Sequence, residues 1–150
     1  MRELPRKLST EELSELFEGR TALVERLAEI EDPLDRADEI LVALSHEEQR
    51  EALNAHPAIG AKKLSARSAA EQRAPGDPAI LTELAYLNQV YEEKFGFRFV
   101  VFVAGRQKRE ILEVLRERIG RTFEQELDTG CRELVAIARD RWTGHRWTRT

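Results

Sequence analysis

Pro78-Ala79-Ile80-Leu81-Thr82-Glu83-Leu84-Ala85-Tyr86-Leu87-Asn88-Gln89-Val90-Tyr91-Glu92-Glu93-Lys94-Phe95-Gly96 carries the clearest structural signal in the chain. Leu81, Leu84, Leu87, Tyr91 and Phe95 recur at the three- and four-residue spacing that lines one face of an α-helix. Pro78 suits the first turn, where its missing N–H has no intrahelical partner to lose. Gly96 tolerates the left-handed backbone that ends a helix. Downstream, Phe97 to Val103 is rich in Phe and Val and has strand composition, yet a lone strand among helices has no ladder to join. A buried extended or helical segment is therefore expected there. After Gly105, Ile111, Leu112, Leu115 and Ile119, and then Phe123, Leu127, Leu134 and Ile137, describe two closing helices.

Upstream the signals are shorter. Ser9 and Glu12 have capping-box spacing before Leu13, Leu16 and Phe17, and Gly19 is placed to end that helix. Leu23, Leu27 and Ile30 form a second apolar set closing at Asp32-Pro33. Ala37, Ile40, Leu41 and Leu44 form a third, running to Ser45. Ser45 and Glu48 repeat the capping box and open a helix that His56-Pro57 must end, because the residue before proline is driven out of the helical region. Between residues 57 and 78 lie Pro57, Gly60, Pro75, Gly76 and Pro78 with few large apolar groups. That stretch reads as loop with one short helix near Ser68 to Arg73. The whole predicts an all-α, single-domain protein spanning 1–150, an irregular bundle of about eight helices, without internal repeat or linker.

At 150 residues, 41% hydrophobic and 35% charged, the chain is long and apolar enough to bury a core unaided. Its formal charge of -4 argues against a nucleic-acid partner. Cys131 is the single cysteine, which excludes an intrachain disulfide, and its surroundings suggest a plain buried thiol. The N-terminus lacks a secretory apolar core, and the apolar run Phe99 to Ala104 is too short for a bilayer, so a cytoplasmic protein without membrane contact is expected.

The chain has three histidines. His46, at a helix start, is expected to face water; His46-Glu47 opens like a zinc-binding helix, but Arg50 stands where the second ligand belongs. His145 lies in a Trp- and Arg-rich tail, where Arg132, Arg139, Arg141, Arg146 and Arg149 face only Glu133 and Asp140. That tail faintly suggests a nucleic-acid or protein contact, against the simpler reading of a helix end that packs its Trp residues on the body. With no clustered ligands and no glycine-rich phosphate loop, neither metal nor organic cofactor is expected.

His56 stands at a helix C-terminus, where the backbone dipole favours an imidazolium, and Pro57 fixes the chain beyond it. It reads either as a residue tying down the last carbonyls or as an acid–base group. Ser68, Glu71 and Gln72 read either as the capping box of a short helix or as polar partners of that histidine, since a Glu beside a His raises its pKa and orients it. Tyr91, Phe95, Phe97 and Phe99 fit a core as well as a ligand platform. Arg106, Lys108 and Arg109 offer a cation for an anionic substrate, or merely an exposed basic helix start.

Ala55-His56-Pro57-Ala58-Ile59-Gly60, Ser68-Ala69-Ala70-Glu71-Gln72, Leu87-Asn88 with Tyr91, and Lys94-Phe95-Gly96-Phe97-Arg98-Phe99-Val100 occur in this order. The ordered set resembles the 2-oxo-4-hydroxy-4-carboxy-5-ureidoimidazoline (OHCU) decarboxylases of urate breakdown. The resemblance implies an all-α fold, a homodimer, no cofactor, a small ureidoimidazoline substrate and (S)-allantoin as product. It further implies His56 as catalytic acid–base and Glu71 as its partner, with Pro57, Ser68, Gln72, Phe99 and Arg106 contacting substrate. The chain departs from the family in a short connection from His56 to Ser68, and in Ala104, where many members carry a basic residue; Arg106 is the expected replacement. The competing readings are a helical small-molecule-binding homologue that has lost catalysis, and a different small-molecule lyase or hydrolase on the same site.

Overall fold

Most helix starts among the described residues are set by side chains that satisfy the backbone N–H groups a first turn leaves unpaired. In the computed structural model, which describes residues 3–57 and 77–144, Ser9 Oγ accepts from the Glu12 N–H at 3.1 Å while Glu12 Oε1 accepts from the Ser9 N–H at 2.9 Å. Ser45 and Glu48 do the same at 3.1 Å each way. Asp77 caps the Ala79 N–H at 2.8 Å, with Pro78 at the first helical position as expected.

Seven helices result among the described residues: α1 (Thr10–Phe17), α2 (Ala22–Leu27), α3 (Pro33–Ala43), α4 (His46–Asn54), α5 (Pro78–Phe95), α6 (Lys108–Ile119) and α7 (Phe123–Thr143). The short helix expected near residues 68 to 73 lies outside the described residues. The all-α bundle agrees with the periodicity. Two boundaries shift: α1 is capped by Glu18, itself in the left-handed region at φ 67°, one residue before Gly19, and α2 stops at Leu27, before Ile30 and the expected close at Asp32-Pro33.

α7 is the axis on which α1, α3 and α4 pack, while α5 packs on α6. Leu127, Leu134, Val135, Ile137 and Ala138 carry the inner face of α7. Cys131 is buried beside them, and burial pushes its thiol up to about 12, so it is inert packing rather than a nucleophile. At Gly130, where a side chain would meet Leu53 Cδ2 at 3.2 Å, α4 approaches α7 closely.

The 97–103 segment is neither helix nor paired strand. Phe97, Phe99, Val100, Val101 and Val103 are all buried, so both of its sides face protein. Buried backbone without a ladder needs other partners, and side chains provide them. The Arg98 N–H donates to Asn54 Oδ1 at 2.9 Å, Arg118 Nη1 donates to the Val100 carbonyl at 2.8 Å, and the Phe102 N–H donates to Glu133 Oε1 at 3.0 Å. No helix among the described residues is long and apolar enough to cross a membrane.

Candidate active site

The last turn of α4 delivers His56 to the interior. Ala55 caps the helix, and the His56 N–H still donates to the Leu53 carbonyl at 3.2 Å. The ring is 6% exposed, and its Nδ1 has no hydrogen-bond partner among the described residues. Two glycines border this helix end: Gly130 faces Leu53, and a side chain on Gly19 would meet Ala55 Cβ at 3.3 Å. On the side of the 97–103 segment, Arg98 Nη1 donates to the His56 carbonyl at 2.7 Å.

The electrostatics reverse one expectation. A helix C-terminus favours an imidazolium, but burial, then the Arg141 guanidinium, then that of Arg98, push the His56 pKa down to about 3. Removing the ring from water beside two cations outweighs the partial charge of a helix end. His56 is therefore a neutral imidazole at physiological pH. A neutral ring with an unpaired buried nitrogen can accept or donate a proton without prior titration.

Arg141 and Arg139 are not a surface basic patch. Arg141 is 3% exposed and donates from Nη1 to the Leu16 carbonyl at 2.9 Å, with Glu18 Oε1 3.7 Å away. Arg139 donates to the Leu34 carbonyl at 2.7 Å and pairs with Asp38 at 3.1 Å. Trp142 Nε1 donates to the Glu3 carbonyl at 2.8 Å, so this end of α7 holds down the N-terminal segment. Within the described residues, Arg139, Arg141 and Trp142 fasten α7 to the rest of the bundle, while the exposed Arg132 pairs with Asp128 on α7 itself.

Beneath the 97–103 segment lies a charged network that periodicity did not reveal. Glu126 is fully buried; Oε1 accepts from Tyr91 Oη at 2.6 Å and from Arg118 Nε at 2.7 Å, and Oε2 faces Arg121 Nη1 at 2.9 Å. Arg118 also lies 4.6 Å from the Phe99 ring centroid. In sequence, Arg118 and Glu126 look like ordinary surface charges on two helices, and only burial sets them apart.

The expected site residues separate into groups. His56 and the half-buried Pro57 stand together at the end of α4. Ser68, Glu71 and Gln72 lie outside the described residues, as does His145. The Phe99 ring is 1% exposed and packs on Tyr91 at a centroid distance of 5.3 Å, which places it in the aromatic core. Arg106 turns back on its own chain: Nε donates to the Val103 carbonyl at 3.1 Å and Nη2 to that of Phe102. It thereby braces a turn in which Ala104 (φ 51°) and Gly105 (φ 79°) are both left-handed. His46 is exposed at its helix start, as expected. Sequence reasoning did not connect Arg98 to Asn54 and His56; Arg98 is more than forty residues from both in the chain, and no local pattern joins them. No group of three or more His, Cys, Asp or Glu among the described residues is arranged to hold a metal.

Comparison with known proteins gives a consistent picture. The family profile described as OHCU decarboxylase matches residues 2–143. The uric acid degradation bifunctional protein PucL of Bacillus subtilis is 30% identical over 143 residues, which cover 88% of this chain and 29% of that protein. The 2-oxo-4-hydroxy-4-carboxy-5-ureidoimidazoline decarboxylase of Haloferax volcanii is 27% identical over 136 residues, covering 83% of this chain and 80% of that one. The chain spans less than a third of the length of the bifunctional relatives it matches. A crystal structure of OHCU decarboxylase in the presence of (S)-allantoin superposes with a TM-score of 0.75 at 24% identity, over 89% of this chain and 96% of that one, and so shares the fold.

Proposed function

Because the chain belongs to the OHCU decarboxylase family, we propose that it converts 2-oxo-4-hydroxy-4-carboxy-5-ureidoimidazoline to (S)-allantoin and CO2, with His56 as the acid–base. The observation that carries this reading is the buried imidazole whose Nδ1 has no partner among the described residues, kept neutral beside two guanidinium groups.

The substrate supplies its own electron sink. The carbon bearing the carboxylate also bears a hydroxyl and adjoins the ring imine carbon. As the bond to the carboxylate breaks, its electron pair forms a double bond to that neighbour, and the imine nitrogen takes a proton from solvent. The resulting enol then loses its hydroxyl proton, and a proton is delivered to one face of the neighbouring carbon. The overall change is substrate carboxylate plus one proton giving allantoin and CO2. Cofactors that stabilise carbanions elsewhere are therefore unnecessary in this mechanism.

A neutral His56 takes the hydroxyl proton and returns one to carbon from a fixed side, which sets the S configuration. Glu71 orients the ring and stabilises its transient positive charge, and Pro57, Ser68 and Gln72 contact the substrate. Phe99 contributes through its backbone, since its ring belongs to the core. Arg106 holds the turn that follows the 97–103 segment. In this reading residues 1–150 form the decarboxylase domain, acting as a homodimer in the cytoplasm. The test supplies freshly generated substrate and follows optical activity. The expected result is (S)-allantoin formed faster than in buffer; formation at the spontaneous rate, or of racemate, overturns the proposal.

A further inference from the structure

Arg98 enters the site from the 97–103 segment, and its backbone and side chain do different things. The N–H is used on Asn54 Oδ1 and Nη1 on the His56 carbonyl. These two bonds hold the guanidinium just past the C-terminal end of α4, beside the buried ring. A guanidinium carries several N–H donors, and the described contacts use one of them. Arg118, Arg121, Arg139 and Arg141 each have a carboxylate within 4.0 Å, whereas no described carboxylate lies in that range of Arg98. The group is half-buried, so its charge is only partly hydrated. Arg106, by contrast, directs Nε and Nη2 at backbone carbonyls.

We propose that Arg98 is the anion-binding residue of the site and selects substrates that carry a carboxylate on the ring. Resting on the reading of His56 as the acid–base, this places the charged group of the substrate against a guanidinium anchored to that histidine's own carbonyl. The anchor gives the arrangement its specificity: the bond from Nη1 to the His56 carbonyl ties the cation to the end of α4 and so favours one relative position of carboxylate and imidazole. The donors that no described residue takes up suit a planar oxyanion, and a point charge on a flexible stem would orient it less well. Once CO2 has left, the ring no longer carries the charge that Arg98 holds, which favours release of the neutral product.

The test compares hydantoin-5-acetate with hydantoin, a related ring without the carboxylate, by calorimetric titration of the full chain. The wild type is expected to prefer the carboxylate, with the preference declining as sodium chloride is raised. Arg98→Gln should weaken hydantoin-5-acetate by about tenfold or more while leaving hydantoin within about twofold, and Arg98→Lys should recover part of the loss. A residue serving only to clip the helix end would weaken both ligands together, in parallel with the melting temperature. That result, or a carboxylate preference that survives Arg98→Gln, overturns the proposal. Turnover of fresh OHCU is measured separately. A wild type that discriminates through Arg98 but does not accelerate OHCU loss refutes the decarboxylase reading and leaves the anion site in place.

Discussion

Leu53 Cδ2 lies 3.2 Å from the point where a side chain on Gly130 would begin. Leu53 is fully buried and belongs to the turn of α4 that ends on His56. The approach of α7 to α4 at this point thus sets where the imidazole sits.

Gly130→Val is expected to destabilise the fold by about 1–3 kcal/mol, because a branched side chain there must push Leu53 out of its packed position. Gly130→Ala should be far milder, since its better helix propensity offsets a contact that a leucine methyl can relieve by a small shift. Urea midpoints measure both. Combining Gly130→Val with Leu53→Ala should restore part of the loss, and a Val variant as stable as the wild type would show that the helices stand further apart.

The Tyr91–Glu126–Arg118 network makes a second prediction. Glu126→Ala leaves the 5%-exposed Arg118 side chain without its carboxylate and should cost about 3–5 kcal/mol, as breaking a buried pair does. Tyr91→Phe removes only the donor at 2.6 Å and should cost about 1–3 kcal/mol. Thermal or urea denaturation checks the order; equal effects would mean that the arginine contributes little.

For His56→Asn, turnover should drop by about two to four orders of magnitude while the protein stays folded, because the amide keeps a polar side chain but cannot exchange protons. Glu71→Gln should hurt less, since the amide still orients the ring. Stereospecific turnover near the wild-type rate in His56→Asn would reduce this histidine to a helix-end residue.

The same residue imposes a pH dependence on stability. Its folded pKa of about 3 lies below the unfolded value of 6.5, so between these limits the unfolded chain binds the extra proton. Stability from this source is complete above about pH 6.5 and falls as the pH drops towards 3, by up to about 1.4 kcal/mol per unit. Urea midpoints at pH 7.5, 6 and 5, to within about 0.1 pH unit, should therefore fall more steeply for the wild type than for His56→Asn. Parallel slopes would place the ring in water.

Much of this was legible along the chain. The Leu84, Tyr91 and Phe95 face of α5, the Ser9–Glu12 and Ser45–Glu48 capping boxes, and the break at His56-Pro57 are local, governed by helical periodicity and by the backbone groups a helix end leaves unpaired. Those rules determined an all-α chain with a histidine at the end of its fourth helix. Tertiary structure decided what the histidine is. Its neutral state depends on burial and on Arg141 and Arg98, and its position on Asn54, Arg98 and the glycine contacts of α1's end and α7. The conformation of residues 97–103 was likewise undecidable locally, because its backbone is satisfied by Asn54, Arg118 and Glu133 from three separate helices. Charge, desolvation and long-range hydrogen bonding depend on distances in space, and the spacing of residues along a chain does not encode them until the helices have packed.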